Sequence, residues 1–165
     1  MTTLNLFHPR GTYDQKHSNI DVLALSVAKG WHFGNGAEVH IEGTFLQANG
    51  EPYESYWGWE NRSRENWTGG ALGFVLRMNY IDDERARAFV DVHASYLITN
   101  YALPWGGSPE NAFLLAGPGL SLRISPEYRA DFGVRWAHVS NADTYDNPAW
   151  NGSGIFLTVS RRVNF

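Results

Sequence analysis

The chain has 165 residues, the size of one ordinary domain, and we therefore treat residues 1–165 as a single domain. Charged residues make up only 18% and aromatic residues 15%, with 17 glycines, and this mixture favours strands and turns over helices. The net charge of −4 argues against binding to nucleic acid, and the absence of cysteine excludes disulfides, thiolate metal sites and cysteine nucleophiles. No apolar run is long enough for a membrane-spanning helix, and no signal-peptide pattern is visible at the N-terminus.

Alternation of apolar and polar residues predicts eight strands and no long helix. In one of these runs Val90 and Val92 share a face, while Asp91 and His93 lie on the opposite face. Proline and glycine lie mostly between the runs. In chain order, the predicted strands are 2–8, 19–33, 36–48, 68–81, 86–99, 111–124, 127–141 and 152–165.

The connections between the predicted strands alternate in length. The long connections are 9–18, 49–67, 100–110 and 142–151, and the short ones are 34–35, 82–85 and 125–126. Bacterial outer-membrane barrels have an even number of strands, with short turns at one end and longer loops at the other. The sequence therefore predicts an all-β fold, an eight-stranded antiparallel up-and-down transmembrane β-barrel in the bacterial outer membrane. A soluble sandwich or a lipocalin-like barrel also offers eight strands, but neither requires this alternation.

The two faces of these strands predict different surroundings. Aromatic residues near the strand ends are candidates for the girdles at the membrane interfaces, namely Trp31, Phe33, Trp57, Trp59, Trp67, Tyr80, Trp105, Trp136 and Trp150. The opposite face predicts a packed polar interior and no conduit. Arg77, Asp91, Arg135 and Glu42 are candidates for a charge network there, and His40, His93 and Glu38 are expected to line the same interior.

A polar cluster is predicted where the seventh strand meets a long loop. His138 and Ser140 are two residues apart, so their side chains share a face and their Cα atoms lie about 6 to 7 Å apart. That face also carries Trp136 and points to lipid, and Asn151 shares it on the next strand. A serine, a histidine and a third group that orients the imidazole are the components of acyl transfer. A substrate that approaches from the membrane would be a lipid ester.

The run His138-Val139-Ser140-Asn141-Ala142, followed by Asn147-Pro148 and Asn151 and then a terminal amphipathic strand, resembles the lipid A 3-O-deacylase (PagL) family of outer-membrane esterases. The likeness extends over residues 68–165. It implies an eight-stranded barrel that removes the 3-position acyl chain of lipid A without a metal or cofactor. By this resemblance Ser140 is the nucleophile, His138 the general base and Asn141 a contributor to the oxyanion hole.

The chain departs from the family pattern at two positions. Asn151 stands where the family has a glutamate, and Asp143 stands where it has a glycine. We predict that Asn151 is the third member and orients the imidazole of His138. Because an asparagine cannot stabilise imidazolium by charge, Asp143 or Asp146 is an alternative third member. Asp143 is also expected to contribute its backbone N–H to the oxyanion hole. Trp136, Asn147 and Trp150 are the predicted substrate-binding residues.

Two other functions are compatible with the sequence. The first is a non-catalytic barrel whose extracellular loops, chiefly 49–67, bind a partner or a surface ligand. The second is a soluble lipocalin-like carrier, which would turn its apolar face inward around a ligand. For the preferred hypothesis the partner is lipid A or lipopolysaccharide, and the sequence does not indicate an oligomeric state.

Overall fold

The computed structural model describes residues 1–13, 18–34, 36–50, 65–103, 108–141 and 149–161. Each of eight strands pairs antiparallel with its neighbours in the chain, and β8 pairs with β1 to close the barrel. This confirms the predicted eight-stranded antiparallel up-and-down barrel. No helix in the described ranges is long and apolar enough to cross a membrane. The strands are β1 Thr2–Tyr13, β2 Ser18–His32, β3 Ala37–Gly50, β4 Glu65–Asp82, β5 Ala86–Thr99, β6 Glu110–Arg123, β7 Tyr128–Ser140 and β8 Trp150–Arg161.

The first connection differs from its prediction. The run 2–8 was expected to end before Pro9, but β1 continues to Tyr13 and leaves only residues 14–17 before β2. Pro9 interrupts pairing with β2 because it has no backbone N–H, whereas the pairing with β8 continues through it. Gly11 also fits in the strand, where a Cβ atom would overlap the backbone carbonyl of Asn151. The expected long connection 9–18 is therefore wrong.

The outer face of the barrel is apolar. On β4, Leu72, Phe74 and Leu76 are exposed, while the alternating Ala71, Val75 and Arg77 are buried. The same alternation repeats on every strand, and a lipocalin-like carrier would show the reverse orientation. The exposed apolar face therefore matches a transmembrane barrel, which turns such residues to lipid. Trp31, Phe33, Tyr80 and Trp136 are exposed on this face, as the girdle prediction requires.

The barrel interior is mainly polar toward one end and mainly apolar toward the other. We call the end at which β1, β3, β5 and β7 finish the loop end, and the opposite end the turn end. Toward the turn end, Asp91 accepts hydrogen bonds from Arg135 Nη2 at 2.7 Å and from Arg77 Nη2 at 3.2 Å, and Arg77 Nη1 donates to Asp131 at 2.6 Å. These contacts confirm the predicted network of Arg77, Asp91 and Arg135.

Glu42 joins this network through His93, whose Nε2 lies 3.6 Å from Asp91 Oδ1. Glu42 Oε1 lies 2.9 Å from His93 Nδ1, and His40 Nε2 lies 3.2 Å from Glu38 Oε2, as expected for residues that line a polar interior. A cavity of about 20 Å³ lies among these groups. A space of that size has room for about one water molecule, so this part of the described interior is packed and does not form a conduit.

Toward the loop end the interior is hydrophobic, which the prediction of a polar interior missed. Its buried side chains include Ile20, Leu46, Trp67, Ala71, Leu97, Phe113, Val139 and Trp150. Trp67 and Trp150 were expected in the outer girdle, and both assignments are wrong because these residues occupy inward positions of their strands. Trp57, Trp59 and Trp105 lie outside the described residues. The loop end of β7 and β8 is thus supported from inside by close-packed apolar side chains.

Candidate functional site

The loop ends of β7 and β8 bring the predicted polar residues onto one surface. His138 lies directly opposite Asn151, and Ser140 lies opposite Ala112 on β6. Ala137 and Val139, which alternate with His138 and Ser140, are fully buried in the barrel. His138, Ser140 and Asn151 therefore share the outward face at the loop end, where the sequence placed them.

A hydrogen bond orients the imidazole of His138. His138 Nδ1 lies 2.8 Å from Asn151 Oδ1. Because an amide oxygen only accepts, Nδ1 is the donor in this pair, and in the neutral imidazole this tautomer leaves a lone pair on Nε2. Ser140 lies two residues further along the same face, and same-face neighbours on a strand have Cα atoms about 6 to 7 Å apart, which is within reach of a side-chain hydrogen bond. Among the contacts of the described residues, no hydrogen bond joins the Ser140 hydroxyl to His138. This arrangement suits His138 to accept a proton from a hydroxyl.

Trp136 covers one face of the same imidazole. The two ring centroids are 5.4 Å apart and the planes differ by 16°, which is a stacked arrangement. Trp136 stands two residues before His138 on β7 and opposite Ser153 on β8. Its indole is half exposed on the outward surface. The histidine is therefore held by Asn151 through one ring nitrogen and by Trp136 through its ring face.

Other predicted site residues lie elsewhere. Asn141 follows Ser140 but its side chain is buried, on the opposite face from the hydroxyl. Trp150 is turned into the barrel, where its ring occupies the space that a Cβ at Gly152 would need. Trp150 is two residues from Gly152 and adjacent to Asn151, so alternation along the strand already places it on the inward face, opposite to Asn151. Asp143, Asp146 and Asn147 lie outside the described residues.

Charged groups flank the site on both sides. Toward β6, Glu110 accepts a 2.7 Å hydrogen bond from the hydroxyl of Tyr96. Toward β1, Arg10 lies opposite Ser153 and forms a 3.4 Å ion pair with Asp21. The sequence analysis did not single out these residues, because their proximity to Ser140 and Asn151 depends on strand register. Within the described ranges, no group of three or more His, Asp or Glu side chains is arranged to hold a metal ion.

An eight-stranded closed barrel with an apolar outer face belongs to the transmembrane-barrel class of folds, and two solved structures share this fold. The outer membrane enzyme PagL matches with a TM-score of 0.62 and 16% identity, over 93% of this chain and 97% of that one. Neisserial surface protein A matches with a TM-score of 0.65 and 11% identity, over 98% of this chain and 96% of that one. No family model and no curated protein sequence matches the chain. At these identities the likeness establishes the fold alone, so the function has to be argued from the side chains.

Proposed function

We propose that this protein is a lipid A 3-O-deacylase of the bacterial outer membrane. The observation that carries the proposal is the hydrogen bond between His138 Nδ1 and Asn151 Oδ1 on the outward face, beside Ser140. A polar cluster on a lipid-facing surface is costly unless it has a use. The resemblance of the His138 to Asn151 segment to the deacylase family supports the same reaction, as does the fold shared with an outer membrane enzyme.

The proposed reaction proceeds by acyl transfer. Ser140 Oγ attacks the ester carbonyl while His138 Nε2 takes the hydroxyl proton. The imidazolium then gives that proton to the sugar oxygen, so that the alcohol leaves and the acyl chain stays on Ser140. A water molecule then attacks the acyl carbonyl while His138 takes its proton. The imidazolium returns that proton to Ser140 Oγ as the acyl C–O bond breaks, so that the fatty acid leaves and the serine is restored. The backbone N–H of Asn141, next to Ser140 in the chain, is the proposed donor to the oxyanion, together with that of Asp143.

Access to this site is from the side of the barrel. Because the described interior is packed, a substrate cannot reach Ser140 through the barrel. The side chains below the site on the outward face of β7 are apolar, including Val134 and Phe132. A lipid in the surrounding leaflet can place its acyl chain along this face and its ester at the level of Ser140. The substrate class is therefore a membrane lipid ester.

A non-catalytic barrel that binds a partner through its loops is the alternative function. It is equally compatible with the fold, which this chain also shares with Neisserial surface protein A. The presence of Asn151 in place of a carboxylate also fits a barrel that retains the cluster without its chemistry. Residues 51–64, which contain most of the proposed binding loop, lie outside the described residues.

Mass spectrometry of lipid A incubated with the detergent-folded protein separates these functions. The deacylase proposal predicts the loss of one 3-hydroxyacyl chain. Lipid A whose ester-linked chains have been removed beforehand by mild alkali is the matched control and should be unchanged. Intact lipid A after incubation with demonstrably folded protein would contradict the proposal and favour the non-catalytic barrel.

Replacing Asn151 with aspartate is expected to raise kcat about tenfold. A charge-assisted hydrogen bond from imidazolium to carboxylate is about twice as strong as the neutral bond to an amide, and a gain of about 1.4 kcal/mol in the transition state corresponds to that factor. The measurement is the rate of fatty acid release at saturating substrate. Asn49→Asp, an exposed position on β3, is the control for added charge alone. An equal gain in both variants would contradict the assignment of Asn151 to the site.

A further inference from the structure

The stacked pair of Trp136 and His138 has a geometry suited to a cation–π interaction. Both side chains lie on the outward face of β7, with 5.4 Å between ring centroids and 16° between planes. A cation within about 6 Å of an aromatic centroid is attracted to the ring face, and tryptophan gives the strongest attraction. The distance and the orientation therefore place the imidazole where its protonated form would be stabilised.

The proposed reaction creates a positive charge on His138, and among the described residues no carboxylate is seen in contact with its ring. Its direct neighbours across the strands are Asn151 on β8 and Leu114 on β6, and neither carries a charge. Glu110 on β6 lies diagonal to Ser140 and is engaged by Tyr96. Arg10 on β1 lies beyond Ser153 and is paired with Asp21. Within the described part of the chain, the group packed on the imidazole face is therefore the indole of Trp136.

We infer that Trp136 is a positioning residue that fixes the orientation of the His138 ring by stacking and stabilises the protonated form of this ring during acyl transfer, supplying part of what a carboxylate at the position of Asn151 would give. The inference rests on the proposed deacylase function and assigns a role within it. This positioning role differs from the predicted role of Trp136 in substrate binding, because here Trp136 acts on the reaction through His138. Stabilisation of a charge that exists only after proton transfer acts on kcat, whereas a substrate contact acts on KM.

The test compares Trp136→Leu, which keeps apolar bulk, with Trp136→Phe, which keeps an aromatic face. In lipid A hydrolysis we expect the leucine variant to lose about tenfold in kcat with KM unchanged, and the phenylalanine variant to retain most of the parent rate. The same pair is then made in the Asn151→Asp background. There a carboxylate shares the stabilisation of the imidazolium, so the leucine substitution should cost only about threefold, the reduced penalty expected of two residues that act on the same group.

Proton NMR of the detergent-folded protein tests the stack itself. The ring protons of His138, assigned by their loss in His138→Gln, should be shifted upfield by the indole in the parent protein. The shift should be lost in Trp136→Leu and largely kept in Trp136→Phe. These spectra require no activity and therefore judge the geometry separately from the chemistry.

The outcomes separate this inference from the proposed function. A rise in KM with kcat unchanged, equal penalties in the parent and Asn151→Asp backgrounds, or equal rates for the leucine and phenylalanine variants would each overturn the role of Trp136 while hydrolysis itself persisted. Absence of hydrolysis by the parent protein would instead overturn the deacylase proposal. A reduced kcat in Trp136→Leu, together with a near-parent kcat in Trp136→Phe, supports both the role of Trp136 and the deacylase proposal.

Discussion

Replacing Ser140 with alanine is expected to abolish acyl-chain release from lipid A. Without the hydroxyl no acyl-enzyme can form, and loss of the nucleophile or its base in a serine hydrolase lowers turnover by roughly 10⁴- to 10⁶-fold. His138→Gln should have a similar effect, because it removes the base that Asn151 orients. Since the two residues act as a unit, the double variant should be no slower than either single variant. Fatty acid release, followed by mass spectrometry, gives all three rates.

Ser153→Ala is the matched control for this series. Ser153 lies on the same outward face, one strand away and opposite Trp136, and the proposed mechanism gives it no role. Its replacement should leave the rate unchanged. Each variant is first shown to be folded by its heat-dependent mobility in detergent gels. A folded Ser140→Ala protein that released the acyl chain at the parent rate would contradict Ser140 as the nucleophile.

Replacing Asp91 with asparagine is expected to destabilise the barrel by about 4 kcal/mol. Asp91 is fully buried and accepts hydrogen bonds from Arg135 Nη2, Arg135 Nε and Arg77 Nη2 at 2.7, 3.1 and 3.2 Å. Removing the carboxylate leaves two buried guanidinium groups short of a counter-charge, and breaking a buried ion pair on one side typically costs about 3 to 5 kcal/mol. Urea unfolding of the protein in lipid vesicles measures the change.

Asp21→Asn provides the comparison for the Asp91 prediction. Asp21 also pairs with an arginine, Arg10, but Arg10 is largely exposed and Asp21 is about half exposed. An ion pair of that kind contributes only about 0 to 1 kcal/mol, so this variant should unfold close to the parent protein. Equal destabilisation by the two substitutions would show that burial of the Asp91 network is not what stabilises the barrel.

The strand architecture was predictable because each strand has one apolar and one polar face. The run 86–99 matches β5 at both ends, and most of the other runs match their strands within a few residues. The exception is β1, where Pro9 and Gly11 resemble a turn. Their place in the strand depends on pairing with β8, more than 140 residues away in the chain. A local pattern does not contain that information.

The alternation pattern predicted the composition of the interior only in part. It separates inward from outward residues, but it does not show at which height along the barrel the inward residues of different strands meet. That height is set by register, which brings Trp67, Leu97 and Trp150 together at one end. At the other end it joins Arg77, Asp91 and Asp131. The hydrophobic layer was therefore not predicted.

In the candidate site, too, some features follow from alternation and others depend on strand register. The common face of His138, Ser140 and Asn151 follows from parity, and the structure confirms that placement. The geometry of the hydrogen bond to Asn151 and the stack with Trp136 depend on register and side-chain rotamers, which the sequence does not specify. Likewise the nearby pair of Tyr96 and Glu110 belongs to β5 and β6 and was not recognised. The sequence thus indicated the contact between Asn151 and His138, whereas the stack with Trp136 and the pair of Tyr96 and Glu110 were not predicted.

The position of the site on the outer wall of a packed barrel affects the kinetics expected of such an enzyme. The substrate of the proposed deacylase would arrive by lateral diffusion within a leaflet or a mixed micelle, so the relevant concentration would be its mole fraction in that lipid phase. Adding inert detergent at constant total lipid A should slow hydrolysis through surface dilution. Raising enzyme and micelles together at a fixed composition should leave the turnover per enzyme unchanged. The rate of such an enzyme would therefore depend on the fraction of lipid A in the surrounding lipid and not on its bulk concentration.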